Sequence, residues 1–469
     1  MPTTRATQAG RRPLLPVMLA LALLLGGCAS VPLVRNAHES RSHAIHFRGA
    51  RGALSPQQEA AVLQRLKVQA PDADVLQRHL AVEAAVVGEP LTTGNGVTIL
   101  RDGTQTFPAM FAAIRNARHS LLLEYYIFED VESDGQHLSE LLLAKRAEGV
   151  DIAVLYDAVG SLHTPDSFFD SLRAAGVQLL AFNPINPLRA RGHWSLNDRD
   201  HRKILVADHR VGIMGGINLS VTYQGNRYRL PGSQRRSDEP LRWRDTDVQI
   251  VGPAAAELER LFRAHWLQQG GPTLAGDASS QDIEPGGNEV VHIIGSRPDA
   301  PVPPYYATIL SAIDTAENHV WITAGYFVPT HQQKEALIDA ARRGVDVRVL
   351  VPSKSDSSGA LAIQHGAYED LLEAGVHIYE RDDVIVHSKS ILVDGVWSAV
   401  GSSNFDYRSV LYNDEVDAVI LGRDAASQLE RLFQADVDRA QQIDLATWKR
   451  RSFGERSREL FWRAWSSLL

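Results

Sequence analysis

Two stretches of the chain repeat the same succession of apolar and polar positions. In the first, residues 120–128 form an apolar run long enough for a buried strand, and a helical spacing of leucines follows over 138–144. Residues 148–155 then combine a glycine typical of a helix end with the next apolar run. The same order of strand, helix and strand returns in the second stretch, at 320–327, 337–341 and 343–350.

A third pair of matching segments extends the duplication. Residues 172–180 and 372–379 each end a helical pattern at a glycine and continue into a short apolar run. Strand–helix–strand units with short glycine connections are typical of α/β domains. We therefore predict an α/β fold with two similar halves, each containing a largely parallel sheet. Residues 269–289, rich in Gly, Pro, Ser and Asp, are predicted to link them.

Length and composition agree with two globular domains. The chain has 469 residues, of which 44% are hydrophobic and 22% are charged. The formal net charge of −8 gives the protein no general attraction for polyanions. No nucleic-acid partner is therefore expected.

The N-terminus predicts attachment to a membrane. Arg11 and Arg12 precede an apolar run over 14–25, which ends in Leu-Gly-Gly-Cys at Cys28, the only cysteine of the chain. This ending resembles a bacterial lipobox, so we expect residues 1–27 to be a signal peptide and Cys28 to be lipidated. The alternative is an uncleaved anchor, because residues 13–34 carry no charge and can just span a bilayer. Both hypotheses place the protein on a bacterial membrane, outside the cytoplasm.

The candidate chemistry lies in a motif that occurs once in each half. His201-x-Lys203 is followed by Asp208 and, 17 residues after the histidine, by Asn218. If the motif starts a strand, side chains at positions i and i+2 point to one face, so each histidine and its lysine project together. The aspartates, seven residues on, are candidates either for catalysis or for holding the turn. The second half repeats the motif with His387, Lys389, Asp394 and, again after 17 residues, Asn404.

This set of residues suits cleavage of a phosphodiester. Lysine and asparagine side chains can neutralise the non-bridging oxygens and stabilise the charge of the pentacoordinate transition state. One imidazole can attack phosphorus, while the other protonates the leaving oxygen and then deprotonates the acceptor. This chemistry requires no metal, the motifs do not look like a metal-ligand set, and no cofactor is expected.

The paired motifs resemble those of the phospholipase D superfamily, and the text around them is similar to bacterial cardiolipin synthases. The similarity covers 97–469 and includes the segments 197–203 and 401–409. It implies two α/β/α sandwich domains related by a pseudo-twofold axis, with a shared active site at their interface. It also implies an acidic residue that orients a histidine after each motif, at Asp245 and Glu415, with His201 as nucleophile and His387 as acid.

Two features depart from this family pattern. Typical cardiolipin synthases of this type have two N-terminal transmembrane helices, where this chain has the lipobox-like segment. The first half also has Gly216 where the second has Ser402, a candidate phosphate ligand, so the two half-sites are not equivalent.

The resulting hypothesis is phosphatidyl transfer to phosphatidylglycerol or a related alcohol, with phosphatidylethanolamine as a further candidate substrate. The alternatives are a phospholipase D that forms phosphatidic acid, a nuclease and a non-catalytic scaffold. Aromatic residues among arginines near the C-terminus predict either an amphipathic helix at the membrane surface or a helix packed on the body. The predicted divisions are a signal peptide (1–27), an N-terminal region (28–96), domain 1 (97–268), a linker (269–289), domain 2 (290–445) and a C-terminal amphipathic helix (446–469).

Overall fold

The structure is a computed structural model. It describes residues 31–34, 45–69, 80, 91–190, 194–195, 197–225, 241–276 and 283–463. The predicted signal peptide and Cys28 lie outside the described residues. Within the described part of the chain, the longest helices are too short or too polar to cross a membrane.

The strands alternate with helices as the repeated pattern predicts. In chain order they are β1 (Phe47–Gly49), β2 (Gly52–Ala53), β3 (Leu91–Arg101), β4 (Ser120–Tyr125), β5 (Glu132–Ser133), β6 (Gln136–His137), β7 (Asp151–Asp157), β8 (Gln178–Phe182), β9 (Arg199–Asp200), β10 (Lys203–Ala207), β11 (Val211–Gly215), β12 (Arg242–Arg244), β13 (Thr246–Val251), β14 (Glu289–Ser296), β15 (His319–Ala324), β16 (Asp346–Pro352), β17 (His377–Arg381), β18 (Val384–Val386), β19 (Lys389–Val393), β20 (Trp397–Gly401), β21 (Asn413–Leu421) and β22 (Gln441–Gln442).

The helices cover the faces of the sheets. They are α1 (Pro56–Gln69), α2 (Asp102–Asn116), α3 (Leu138–Ala147), α4 (Asp166–Ala174), α5 (Pro253–Gln268), α6 (Pro304–Thr315), α7 (His331–Arg342), α8 (Ser358–Ala374), α9 (Tyr407–Leu411), α10 (Arg423–Val437), α11 (Leu445–Trp448) and α12 (Phe453–Arg463). The glycines predicted to end α3 and α7, Gly149 and Gly344, have φ of 93° and 95°, a left-handed conformation that favours glycine.

The two halves have the same sheet topology. The first sheet has the order β8–β7–β4–β10–β11–β13–β3. The second has the order β17–β16–β15–β19–β20–β21–β14. The edge strands β3 and β14 pair with each other, so the two sheets are continuous. This arrangement confirms the predicted duplicated α/β fold.

The prediction of largely parallel sheets is wrong. The first three strands of each order are parallel, but the other four join antiparallel. The reason is local: the motif strands β10 and β19 turn directly into β11 and β20, and a short connection can only join antiparallel neighbours. The strands also begin at Lys203 and Lys389, so each motif histidine stands two residues before its strand.

Apolar side chains from both halves form a shared core between the sheets. Val97 and Ile99 of β3 belong to the same buried cluster as Val291 of β14 and Val400 of β20. Burial of apolar surface on this scale is the main force that holds domains together. The halves therefore meet through a continuous apolar interface, which fixes the geometry of any site between them.

The N-terminal region packs against the second half. Phe47, Val62 and Leu66 are buried in the core formed by residues of β15, β16 and α6. The strand β3 begins at Leu91, inside the segment predicted as N-terminal region, because its first residues pair with β1 and β14. The N-terminal segment is thus a structural part of the second half rather than a separate appendage.

The C-terminal segment contains two short helices where a single helix is predicted. The second, α12, packs on α8, and Trp462 contacts a small apolar cluster with Val328 and Ile363. Leu460 and Phe461 remain exposed. Residues 464–469 of the predicted helix lie outside the described residues.

Candidate active site

A short strand pairing between the halves brings His201 to Glu415. The strand β9 ends directly before His201 and pairs in parallel with the first residues of β21, directly before Glu415. The backbone N–H of His201 donates to the carbonyl oxygen of Asp414 at 2.9 Å. The histidine of the first half therefore lies beside a carboxylate of the second half.

A matching pairing brings His387 to Asp245. The strand β12 ends directly before Asp245 and pairs in parallel with β18, which ends directly before His387. The backbone N–H of His387 donates to the carbonyl oxygen of Arg244 at 2.8 Å. These two contacts between the halves are equivalent in position. Asp247 pairs with Gly215 and Asp417 pairs with Gly401, and Asp245 and Glu415 each stand two residues before that partner.

The imidazole of His201 contacts a carboxylate that three other side chains hold by hydrogen bonds. Its Nδ1 lies 2.9 Å from Oε2 and 3.1 Å from Oε1 of Glu415. Glu415 is itself buried and accepts hydrogen bonds from Ser402 Oγ at 2.5 Å, Ser409 Oγ at 2.8 Å and Asn413 Nδ2 at 3.0 Å. A carboxylate at Nδ1 places the proton on that nitrogen, so the lone pair of Nε2 is available for attack.

The surroundings of His387 are different. Its Nδ1 lies 2.8 Å from Asp245 Oδ2, 2.9 Å from Lys389 Nζ and 3.1 Å from the hydroxyl of Tyr223. The amide of Asn218 lies 3.4 Å from the same hydroxyl. This imidazole therefore has a carboxylate, an ammonium group and a phenol as neighbours.

Both histidines face one cavity of about 440 Å³ between the halves. The predicted asparagines also line it. Both motif lysines are buried, and each donates to the carbonyl oxygen of its own motif histidine. A cavity of this volume suits a ligand of the size of a phospholipid headgroup. Its lining includes His201, His387, Asn218, Asn404, Tyr126 and Tyr326.

Burial and mutual repulsion lower the proton affinities of the basic groups. The pKa of His201 lies well below its usual value because of burial and the charges of Lys203 and Lys389. Burial and Lys389 likewise lower the pKa of His387. Burial lowers the pKa of Lys203 to about 7 and that of Lys389 to about 8, and it raises the pKa of Glu415 to about 7. A bound phosphodiester would favour the charged lysines again.

Comparison with known proteins agrees with this geometry. The family described as "Cardiolipin synthase, PLD-like domain" matches residues 110–229 and 309–437, which include both motifs. The chain belongs to the cardiolipin synthase family of phospholipase D-like proteins. Members of this family are phosphatidyl-transferring enzymes, and the chain is an enzyme of that phospholipase D type.

Individual relatives cover most of the chain. A cardiolipin synthase of Geobacillus kaustophilus is 35% identical over 398 residues, which is 84% of this chain and 76% of the relative. Cardiolipin synthase A of Pseudomonas entomophila is 37% identical over 361 residues, 76% of this chain and 71% of the relative. The crystal structure of the phosphatidylserine synthase of Haemophilus influenzae shares the fold, with a TM-score of 0.58 and 13% identity over 80% of this chain and 95% of that one.

Two motif residues of this family member lie away from the histidines. Asp208 accepts hydrogen bonds from the backbone N–H groups of residues 118–120, and Asp394 accepts the equivalent bonds from residues 317–319. Their carboxylates therefore hold the start of the neighbouring strands, which is one of the two roles that the sequence left open for them. This arrangement gives no support to the other role, a direct part in catalysis. Ser402, a candidate phosphate ligand, donates to Glu415 instead.

Sequence reasoning missed Tyr223 and Arg202. Arg202, the residue between motif histidine and lysine, is fully buried and donates to Glu124 and Asp414 at 3.3 Å and to the carbonyl oxygen of Glu415 at 3.2 Å. Arg202 stands between the two motif residues in extended chain next to the strand, where alternate side chains point to opposite sides, and this is a signal that could have found it. Tyr223 had no such signal, because its contact with His387 spans 164 residues.

A buried acidic group near Arg202 raises the question of a metal. Glu124, Asp200 and His265 are, among the described residues, a set whose ligand atoms lie within 4.8 Å of one another. However, Arg202 donates to Glu124, and His265 Nδ1 lies 2.7 Å from the same carboxylate oxygen. A guanidinium group already neutralises this carboxylate, so the set fits a buried ionic network better than a cation site.

Proposed function

We propose that the protein is a cardiolipin synthase that transfers a phosphatidyl group to phosphatidylglycerol. The observation that carries this proposal is the pair of histidine–carboxylate contacts exchanged between the halves, His201 with Glu415 and His387 with Asp245, on one cavity. Two imidazoles, each oriented by a carboxylate, are what a two-step transfer through a covalent intermediate requires. The relatives that match most of the chain carry the same function in their names.

In the first step, Nε2 of His201 attacks phosphorus of the donor lipid and the bond from phosphorus to the headgroup oxygen breaks. Lys203, Lys389 and the asparagines Asn218 and Asn404 stabilise the negative charge on the non-bridging oxygens. His387 gives its proton to the departing alcohol, which is glycerol when phosphatidylglycerol is the donor. The phosphatidyl group is then bonded to His201.

In the second step, His387 accepts the proton of an acceptor hydroxyl, and that oxygen attacks the same phosphorus. The phosphorus–nitrogen bond breaks, which regenerates His201 and releases cardiolipin. Hydrolysis to phosphatidic acid uses the same intermediate with water as acceptor, so the outcome depends on which nucleophile the site holds in line.

Product analysis tests this proposal. Purified protein with vesicles of phosphatidylglycerol should yield cardiolipin and glycerol, with phosphatidic acid as a minor product by mass spectrometry. The same vesicles with added phosphatidylethanolamine test that lipid as a second donor. If phosphatidic acid is the main product and added glycerol does not divert it, the protein is a phospholipase.

We further propose that the protein is attached to a bacterial membrane through Cys28 and that its folded body lies outside the cytoplasm. The basic, apolar and Leu-Gly-Gly-Cys segments of the N-terminus support this hypothesis. Cys28→Ser should abolish metabolic labelling with a fatty acid and block cleavage of the signal peptide. A wild-type protein that retains Met1 in the membrane would instead indicate the uncleaved anchor.

A further inference from the structure

The edge of the molecule at which the cavity opens carries exposed apolar side chains. We call Leu162, Ile185, Leu188 and Val221 the apolar rim; all are exposed, Leu188 to 92% and Leu162 to 56% of its surface. Exposed apolar groups that stand alone are common on soluble proteins, whereas several together at one edge indicate a surface that meets an apolar partner.

The rim lies at the cavity because of strand direction. Its residues follow the carboxyl ends of β7, β8 and β11, which lie at the same edge of the sheet as the carboxyl end of β4. The cavity-lining residues Tyr126 and Asn218 follow β4 and β11 at this edge. The loops are tied together there: Ala158 donates to Phe182 at 3.1 Å, and Leu162 donates to the carbonyl oxygen of Val159, a cavity-lining residue, at 3.2 Å.

The second half adds the end of α12 to this edge. Trp462 packs against the apolar cluster that contains the cavity-lining Ala360, while the preceding residues Leu460 and Phe461 are exposed. Arg456 and Arg458 are exposed on the same helix. Bulky apolar side chains interleaved with arginines are typical of helices that lie at the surface of an anionic bilayer.

The start of the described chain is held at this edge as well. The backbone of Val34 exchanges hydrogen bonds with the side chain of Gln332, at 3.3 and 3.2 Å. Gln332 lies in the first turn of α7, six residues after the cavity-lining Tyr326. The chain is therefore held at this edge six residues after Cys28, the residue proposed to carry the lipid.

We propose that the apolar rim and the exposed end of α12 dock on the surface of a phospholipid bilayer and turn the cavity toward the lipid headgroups. This inference rests on the proposed function, since a lipid whose headgroup enters a cavity of about 440 Å³ must leave its acyl chains in the bilayer. A second copy of the chain on the same surface would cover the entrance of the cavity. The lipid surface is therefore the occupant that keeps the enzyme open to its substrate.

Site-specific labelling tests the orientation without requiring turnover. Cys28 is the only cysteine, so Leu162→Cys, Leu188→Cys and Phe461→Cys each provide one new thiol for an environment-sensitive fluorophore. Val68→Cys is the matched control: Val68 is 76% exposed, and its helix reaches Gly422, at the opposite end of β21 from Glu415. Labelled wild-type protein measures any contribution of Cys28.

We expect vesicles of phosphatidylglycerol with brominated phosphatidylcholine to quench the two rim labels and the label on α12 and to leave the label at position 68 unchanged. Equal quenching at all positions, or none at the rim, would overturn the proposal. Rim labels that change with protein concentration in the absence of lipid would do so too, because a second copy would then be the occupant. Quenched rim labels in a protein that forms no cardiolipin would refute the proposed function and leave the docking surface standing.

The functional test uses Leu162→Ser/Leu188→Ser with Val68→Ser as control. At limiting vesicle concentration the rim variant should form product about tenfold more slowly, because it loses two apolar contacts with the bilayer. On short-chain lipid dispersed in detergent its rate should equal that of the wild type, which shows that the fold and cavity are intact. Equal rates on vesicles would contradict the docking surface.

Discussion

The two half-sites share one backbone arrangement and differ in what surrounds each histidine. Around His201 the hydrogen bonds converge on the carboxylate, because Glu415 is fixed by Ser402, Ser409 and Asn413. Around His387 they converge on the imidazole, whose Nδ1 is near Asp245, Lys389 and Tyr223. Duplication has thus produced one pair in which three side chains bond the carboxylate and another in which the neighbouring side chains contact the imidazole.

This difference suits a division of roles. A nucleophile needs one fixed tautomer throughout the reaction, which the firmly held Glu415 gives to His201. A group that first donates and then accepts a proton needs neighbours that tolerate both of its charge states. The contacts of His387 with an ammonium group and a carboxylate meet that requirement, and they favour His201 as the nucleophile.

The asymmetry originates in a few sequence positions. A Cβ at Gly216 would overlap Oδ1 of Asp245, so the first half cannot place there the serine that the second half has at Ser402. Five residues after each motif asparagine, the first half has Tyr223 and the second has Ser409. Ser402 and Ser409 donate to the carboxylate of Glu415, whereas Gly216 has no side chain to donate and Tyr223 contacts the imidazole of His387.

The largest effect should come from removing either histidine. His201→Ala and His387→Ala should each lower kcat by about 10⁴-fold or more, and the double variant should be no slower, because residues that act as a unit are not additive. Quenched-flow trapping should recover a phosphohistidine peptide containing His201. Additive partial losses would indicate two independent sites, and a labelled peptide containing His387 would reverse the roles.

Substitution of the carboxylates should lower the rates less than removal of a histidine, and by different amounts in the two half-sites. Glu415→Gln should lower the rate of His201 phosphorylation by about 10³-fold, because an amide cannot fix the tautomer of the nucleophile. Asp245→Asn should lower kcat by only about 10²-fold, since Lys389 and Tyr223 still contact His387. Single-turnover kinetics measure both, and equal losses would remove the distinction between the half-sites.

Exchanging the small residues tests the origin of the asymmetry. Gly216→Ser should displace Asp245 and lower the free energy of unfolding by about 1–3 kcal/mol, with an activity loss of about 10²-fold. Ser402→Gly removes a hydroxyl that donates to Glu415 and accepts from the backbone N–H of Val416, without displacing a neighbour, and should cost about tenfold in activity. Urea unfolding and steady-state rates on the two variants provide the comparison, which is contradicted if Ser402→Gly proves the more damaging.

The pH dependence should reflect the buried lysines. With pKa values of about 7 for Lys203 and about 8 for Lys389, the free enzyme loses these charges as pH rises. Since the substrate phosphate needs charged lysines, kcat/KM should fall above about pH 7–8. Because bound phosphate raises the lysine pKa values, the fall in kcat should lie at higher pH. A kcat/KM that stays flat to pH 9 would contradict this account.

The candidate site could be predicted from the sequence where its geometry is local. The motif histidine and asparagine flank one strand–turn–strand unit that begins at the motif lysine. A constant spacing of 17 residues between His201 and Asn218, and between His387 and Asn404, was therefore sufficient. The helix-ending glycines could likewise be predicted, because the left-handed backbone conformation at a helix end is a preference of glycine itself. These features depend on neighbours within about 20 residues.

The remaining features depend on contacts between distant parts of the chain. The pairing of His201 with Glu415 spans 214 residues, and that of His387 with Asp245 spans 142. Apolar periodicity does not reveal which strands pair, so it suggested parallel sheets where four of the six strand pairings in each sheet are antiparallel. It also gave no sign that Phe47 and Val62 complete the core of the second half.

The smallest expected effect concerns Tyr223. Its hydroxyl lies 3.1 Å from Nδ1 of His387 and has no counterpart at His201, where the equivalent position is Ser409. Tyr223→Phe keeps the ring and removes the hydrogen bond to His387, together with the longer one that Asn218 donates at 3.4 Å. The hydrogen bond to His387 is worth about 1 kcal/mol, so kcat should fall about fivefold. The loss should appear in the steps in which His387 transfers a proton, so it should grow with a donor whose leaving alcohol is a weaker acid. Phosphorylation of His201 from a lipid analogue with a good leaving group, such as p-nitrophenol, needs no acid and should keep its wild-type rate. An equal loss with both donors would show that the hydroxyl maintains the shape of the cavity instead of assisting His387.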